Sequence, residues 1–298
     1  MRRAPPQCRS SCGIAPNTTG RGSAAIRPGN RNRRSGAYNA CMALNSTRRF
    51  SSRVADYVKY RPSYPPEAIE LLCARCGLGA GVPVADLGSG TGILTALLLE
   101  AGARVMAVEP NAEMRAAAEE QLGRHAGFVS VAGTAEATTL AAGSVALALA
   151  GQAFHWFDPA RARAEALRIL VPGGWTALIW NELPEAPTPF TADYDALLRR
   201  CAPEYEQVLA LRVRAPAIRQ FFGYEPERAV FANRQLFGFE GLKGRLMSSS
   251  YAPEPGQPQH APMLAGLREV FERHQRGGEV TFPYQTLVFF GEPGRERA

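Results

Sequence analysis

The chain has 298 residues, 46% of them hydrophobic and 20% charged, with a formal net charge of +7. That length suits one large α/β domain with a sizeable core, and 52 Gly and Pro residues are too few for a low-complexity or collagen-like chain. The longest apolar stretch, Leu140 to Phe154, is broken by Gly143, Ser144, Gly151 and Gln152; it falls short of the roughly 18 residues a membrane helix needs, so no membrane association is expected.

Residues 1–41 hold eight arginines, no lysine and no acid, whereas the remaining 257 residues carry 26 basic and 27 acidic side chains. The positive charge therefore belongs to a tail, and no nucleic-acid-binding face is expected on the fold. With Pro5, Pro6, Pro16 and Pro28 and almost no large apolar side chains, the segment reads as a disordered basic tail. Three origins stay open: an upstream extension with the natural start at Met42, a transit peptide, or an electrostatic arm. Cys73-Ala-Arg-Cys76 has metal or redox spacing, but no second pair follows and the four histidines are scattered. No metal site is expected. The chain reads as a reduced cytoplasmic protein, mitochondrial only if the tail is a transit peptide.

Beyond the tail, strands and helices alternate. Glu67 to Cys76 has helical spacing behind Pro65-Pro66, and Val82 to Leu87 is a short buried-strand run that ends in a glycine cluster. Ile93, Leu94, Leu97, Leu98 and Ala101 recur as a helix, Arg104 to Val108 is the next strand, and Asn111 caps a helix carrying Met114, Ala118 and Leu122. Phe128 to Ala132 and Ser144 to Ala150 follow as strands. Asp158 caps a helix with Pro159 at its first position and Ala160, Ala164, Leu167 and Leu170 on one face. Pro172-Gly173-Gly174 is expected to stop it before a strand from Trp175 to Trp180. Five strands alternating with helices imply a parallel sheet with right-handed crossovers. From 182 onward the pattern loosens: a proline-marked break, helical stretches over roughly 190–222, a strand from Ala229 to Phe237, a helix from Met263 to His274, and a strand from Val280 to Phe290. These read as an insertion followed by closing strands of the same sheet.

The chemistry gathers at Ala85-Asp86-Leu87-Gly88-Ser89-Gly90-Thr91-Gly92, between a strand and a helix. Glycines there admit close backbone approach, and the amides at the helix start favour an anionic group. The dinucleotide fingerprint G-x-G-x-x-G would need glycine at 93, where Ile93 stands. Glu109, at the end of the second strand, has the place of an acid that accepts both hydroxyls of a ribose, which fits NAD and S-adenosylmethionine equally.

Residues 47–181 resemble a class I S-adenosylmethionine-dependent methyltransferase of the small-molecule group that includes trans-aconitate-type enzymes. Asp86 to Gly92 resembles the family's first motif, Val108-Glu109-Pro110 its ribose-binding acid, and Gly133-Thr134-Ala135-Glu136 its adenine-contacting turn. Ala150 to Asp158 resembles the segment that leaves the fourth strand beside the methyl group, and Tyr57 to Pro65 is similar to the N-terminal lid. One departure is Val145-Ala146-Leu147, where the family usually carries an acid that supports loop packing; some cost in stability is expected from it. The resemblance implies a Rossmann-like, doubly wound, mostly parallel seven-stranded sheet, with helices on both faces and a helical insertion after the fifth strand. Residues 42–298 would form that one domain, with 182–228 as an acceptor-side insertion.

The resemblance also assigns roles. S-adenosyl-L-methionine would be held by Asp86, Gly88, Ser89, Gly90, Thr91, Gly92 and Glu109, with Thr134, Ala135 and Glu136 bordering the adenine. Gln152 would lie near the methionine or acceptor side, and Tyr60 and Arg61 over the site as a lid. His155 is the candidate catalytic base; orienting the loop is the other reading, and a carboxylate acceptor would need no base. Trp156 and Phe157 face a cation or pack in the core, and Phe221 to Tyr224 line an acceptor pocket or close the fold. Trp175 and Trp180 are expected in sheet packing. The implied partner is a small-molecule acceptor, for which a small organic acid is the first panel, met by Arg61 or an arginine of the 199–219 region. No oligomeric state is assigned. Two other classes stay open: a nicotinamide-dependent oxidoreductase and a non-catalytic cofactor-binding protein.

Overall fold

The computed structural model describes residues 58–210 and 215–294. The basic tail, Met42 and Tyr57 lie outside the described residues. Strands β1 (Pro83–Leu87), β2 (Arg104–Val108), β3 (Phe128–Val131), β4 (Val145–Gly151) and β5 (Leu170–Glu182) pair in parallel. Strand β7 (Val280–Gly291) runs antiparallel to β5, and β6 (Glu227–Phe237) antiparallel to β7. The spatial order is β3-β2-β1-β4-β5-β7-β6. The chain moves outward from β1 to β3 and returns to β4 on the other side, so the carboxyl ends of β1 and β4 part at the switch point where open α/β sheets bind ligands.

Both faces of the sheet are covered, which is why β1 and β4 read as near-continuous apolar runs and not as alternating ones. Helices α1 (Pro66–Cys76) and α2 (Ile93–Glu100) lie on one face, where Ala68, Leu72, Leu94 and Leu98 pack with Val84, Leu147, Ile179 and Val288. Helix α3 (Ala112–Leu122) follows β2 and is capped by Asn111, whose side chain accepts from Met114 N at 2.9 Å. Helices α4 (Pro159–Ile169) and α7 (Ala215–Phe222) cover the opposite face through Ala162, Ala166, Ile169, Ile218, Phe221 and Phe222. A further core sits apart from both. Helices α5 (Pro189–Cys201), α8 (Phe239–Met247) and α9 (His260–His274) close around Phe237 and Phe282, with Tyr205 at the start of α6 (Tyr205–Ala210). No helix among the described residues is long and apolar enough to cross a membrane.

The seven-stranded doubly wound sheet agrees with the expectation; three local readings do not. The buried face of α4 is Ala162, Glu165, Ala166 and Ile169, while Ala160, Ala164 and Leu167 are exposed. Alanines carry little periodic signal, and the acid goes inward because its charge is met: Thr138 N and Oγ1 donate to Glu165 Oε1 at 2.7 and 2.6 Å, and Arg168 Nε donates to Oε2 at 2.7 Å. Pro172-Gly173-Gly174 lies inside β5 and does not precede it. Between the pairs Val145↔Leu170 and Leu147↔Trp175 the extra residues form a bulge, with Gly173 at φ 75°. Helix α8 was not expected at all, because Gly241 and Gly244 interrupt its apolar period. Of the readings left open, Phe221 and Phe222 are 1% and 0% exposed and close the sheet core. Trp175 stacks on Phe290, and Cys73 is exposed and Cys76 buried, both as free thiols.

Candidate functional site

The loop after β1 is folded back onto the end of β2. Gly88 N and Ser89 N both donate to Val108 O, at 2.8 and 3.1 Å. Gly88 has φ +67°, and a Cβ there would stand 2.7 Å from Ala153 Cβ, so the residue must be glycine both for its backbone and for its contact with the loop after β4. Glu109, 7% exposed, is fixed at both oxygens: Gly90 N donates to Oε2 at 3.0 Å and Asn111 N to Oε1 at 2.8 Å. Burial raises its pKa, and those two amides pull the other way. Each oxygen accepts one bond here, and a carboxylate oxygen has capacity for a second.

Asp86, at 1% exposure, accepts from Thr95 Oγ1 at 2.6 Å through Oδ2, while Oδ1 is buried with no partner among the described residues. Burial pushes its pKa up to about 7, aided by the charge of Glu109 and opposed by Thr95. Thr91 Oγ1 is likewise buried without a partner. Such groups cost free energy unless something bonds them.

Those groups open onto a cavity of about 690 Å³. Of the residues expected in the site, Arg61, Asp86, Gly88, Ser89, Gly90, Thr91 and Glu109 line it. So do Thr134, Ala135, Glu136, Gln152 and His155. Glu136 Oε1 accepts from Asp158 N at 2.9 Å, which ties the turn after β3 to the start of α4. Two expected residues do not line the cavity. Gly92 instead forms the left-handed entry to α2, at φ +89° with its amide bonded to Ser89 O, and the wall of Leu122 stands 2.7 Å from where its Cβ would be. Tyr60 packs its ring against Gly244 of α8, and its carbonyl accepts from Gln235 Nε2. The rest of the segment expected as a lid is tied down beside the cavity, which Arg61, Pro62 and Tyr64 line: Arg61 Nη2 donates to Ser248 O at 2.8 Å, and Asn181 and Asn233 both donate to Ser63 O.

The loop after β4 is held by backbone and side-chain bonds where it meets the cavity. Gln152 holds φ +56°, uncommon for a residue with a side chain, with its amide bonded to Ile179 O and Nε2 to Asn181 O. Phe154 anchors the 3-10 turn Phe154–Trp156 from 2% exposure, edge-on to Phe157, Trp180 and Phe221. Full burial of such a ring contributes about 1.5–3 kcal/mol. The pKa of His155 falls to about 4, first through burial and then through the charge of Arg61, so its imidazole is neutral near pH 7. Trp156, Phe157 and Trp180 all border the cavity, Trp180 while buried in the sheet core.

Residues missed by sequence reasoning complete the lining of the same cavity. Asn111 and Met114 were legible as helix start but not as lining. Tyr194, Tyr205, Arg245, Tyr251, Phe282 and Tyr284 come from α5, α6, α8, the segment after it, and β7, and no local motif links them. The expected arginines of 199–219 are elsewhere: Arg199 pairs with Asp195 and Glu206, Arg219 with Glu225, and Arg200 does not line the cavity. Arg212 and Arg214 lie outside the described residues. Among the described residues no group of three His, Cys, Asp or Glu is arranged to hold a metal ion.

Residues 85–178 match the methyltransferase domain family. An uncharacterized methyltransferase of Mycobacterium tuberculosis is 44% identical over 141 residues, 47% of this chain and 55% of the relative, so the chain spans about half the length of that protein. An uncharacterized methyltransferase of Schizosaccharomyces pombe is 29% identical over 255 residues, 82% of this chain and 97% of the relative. Among solved structures, a candidate type II methyltransferase of Anaeromyxobacter dehalogenans superposes with a TM-score of 0.54 at 24% identity, covering 78% of this chain and 96% of that one. That likeness establishes the fold.

Proposed function

We propose that this chain is a class I S-adenosylmethionine-dependent methyltransferase that holds S-adenosylmethionine at the carboxyl ends of β1, β2 and β4 and methylates a small organic molecule in the remainder of the cavity; its match to the methyltransferase domain family and its likeness to the two relatives support the reading. One observation carries the reading: a buried glutamate at the end of β2, gripped by the amide of the glycine loop, with acceptor capacity left over on both oxygens. Glu109 would take the ribose hydroxyls. Gly88, Ser89 and Gly90 would leave room for the methionine end, and Thr134, Ala135 and Glu136 would border the adenine. The partnerless Asp86 Oδ1 and Thr91 Oγ1 on the cavity wall support occupation by a polar ligand. When bound, the cofactor supplies a sulfonium methyl group that a nucleophilic atom of the acceptor takes by in-line displacement.

The protein's own contribution is positioning, an effect that can lower such a barrier by roughly 7–11 kcal/mol. The anchored lid, with Arg61 and Tyr64, excludes water, and the strained Gln152 keeps the loop after β4 in place. His155 orients that loop through its packing. A neutral imidazole with so low a pKa is a weak base, and this favours an acceptor with no proton to remove at neutral pH, such as a small organic acid. The acceptor side is formed by α5 and α6 of the 182–228 insertion together with α8.

The test is formation of S-adenosylhomocysteine by the full chain across a panel of small carboxylic acids, phenols and amines. Turnover on at least one acid, reduced a hundredfold in Glu109→Ala, is expected. Blank-level turnover on every acceptor, with cofactor bound, would mean a binding protein without transferase activity.

A further inference from the structure

One lobe of the cavity brings aromatic rings around the guanidinium of Arg245. Arg245, on α8, holds its guanidinium 5.2 Å from the ring centre of Phe282 and 5.9 Å from that of Tyr284. Its Nε donates to Tyr284 Oη at 3.0 Å and its Nη1 to Ser249 Oγ at 3.2 Å. Neither partner is an acid, and among the described residues no carboxylate pairs with Arg245. Elsewhere this chain supplies acids freely: Arg75 pairs with Glu227, Arg168 with Glu165, and Arg273 with Asp193. On the same wall Tyr194, 1% exposed, packs edge-on to Phe282 with ring centres 5.2 Å apart. Its hydroxyl is buried with no hydrogen-bond partner among the described residues.

A guanidinium is always charged, and Arg245, half-buried, is partly withdrawn from water with no carboxylate partner among the described residues, which carries a cost. A buried hydroxyl with no partner is expensive too. One ligand group would offset both: an anion with oxygen acceptors. Leu198, Tyr205, Leu209 and Tyr251 also line the cavity, beside the polar Asn181, Glu182 and Ser250, and offer apolar and aromatic surface to the body of the ligand.

We propose that this lobe binds the carboxylate of a small, mostly apolar acid, with Arg245 as its ion partner and Tyr194 Oη as a hydrogen-bond donor. The inference rests on reading the cavity as a methyl-acceptor site, and it names the acceptor's class. Arg245 and Tyr194 then select the acceptor, a task left open by Arg199 and Arg219, which pair with surface acids. Tyr205, Tyr251 and the leucines take up the apolar body.

The test is calorimetric binding to the full chain of 4-phenylbutyrate and of its neutral amide, 4-phenylbutyramide, each with and without S-adenosylhomocysteine. The acid is expected to bind at least tenfold more tightly than the amide. Arg245→Met should abolish that preference. Tyr194→Phe should weaken the acid severalfold, leave the amide unchanged and not lower the melting temperature, because the hydroxyl bonds nothing among the described residues. Equal affinity for acid and amide, no binding of either by folded protein, or a preference that survives in folded Arg245→Met would overturn the proposal. If Arg245→Met does not fold, Tyr194→Phe decides: unchanged acid affinity in it overturns the proposal. Loss of S-adenosylhomocysteine binding alone, with acid preference intact, would instead sink the methyltransferase reading and leave the anion site standing.

Discussion

Replacing Asp86 with Asn should make the protein more stable, and increasingly so as pH rises. The carboxyl is buried, one oxygen meets Thr95 and the other meets no partner among the described residues, and its pKa is raised from 3.8 to about 7. A carboxyl raised in the folded state binds more protons there than in the unfolded chain between those two values, so stability falls with pH across that window. The cost is absent below about pH 4 and complete above about pH 7. Three pKa units at 1.36 kcal/mol each set a ceiling of about 4 kcal/mol. Asn keeps an oxygen for Thr95 Oγ1 and does not titrate. The melting temperature of Asp86→Asn minus that of the wild type should therefore be near zero at pH 4 and rise to as much as about 8–16 °C at pH 8, at 2–4 °C per kcal/mol for a domain of this size. Thermal scans by circular dichroism at unit pH intervals measure it. A difference that stays flat from pH 4 to 8 would refute the reasoning, since Asp86 would then be ionised at little cost. The same variant should bind S-adenosylmethionine at least tenfold more weakly if Oδ1 meets that ligand.

Other substitutions probe the scaffold. Glu165, whose pKa is lowered to about 2 first by the bond from Arg168, contributes stability present above about pH 4.5 and lost as pH falls toward 2. Glu165→Gln should cost about 1–3 kcal/mol at pH 7 and nothing at pH 2, read by urea titration; an equal loss at both would show that shape matters and charge does not. Gly151→Ala would put a Cβ 2.5 Å from Tyr64 Oη and 3.2 Å from Leu94 Cδ2. Overpacking of this kind costs about 1–3 kcal/mol and should displace the lid, so a variant with unchanged stability and ligand affinity would show that the segment around Tyr64 yields freely.

The half of the site built from contiguous chain was legible because its chemistry is local. The glycine loop is a contiguous motif, Glu109 meets the amide of Asn111 two residues on, and the caps Asn111 and Asp158 serve amides two or three residues away. The other half was not. Tyr194, Arg245 and Tyr284 are brought together by packing around Phe282 from three elements far apart in sequence, and glycines 241 and 244 hid the helix that carries Arg245. Sequence reasoning expected Arg61 or an arginine of 199–219 for the acceptor; Arg61 lines the cavity, whereas Asp195, Glu206 and Glu225 claim the charges of Arg199 and Arg219 at the surface. Glycine 244 also explains Tyr60: only a residue without a side chain lets that ring seat on α8, away from the cavity. The inverted face of α4 has a similar origin, since inward placement of Glu165 depends on Thr138, 27 residues earlier.

The most direct test of the central claim is calorimetric titration of the full chain with S-adenosylmethionine and with NAD, for the wild type and for Glu109→Ala confirmed folded by circular dichroism. The account predicts micromolar binding of S-adenosylmethionine, weakened tenfold or more in the variant, with NAD silent. Binding of NAD in its place, or an affinity for S-adenosylmethionine that Glu109→Ala leaves unchanged, would contradict it.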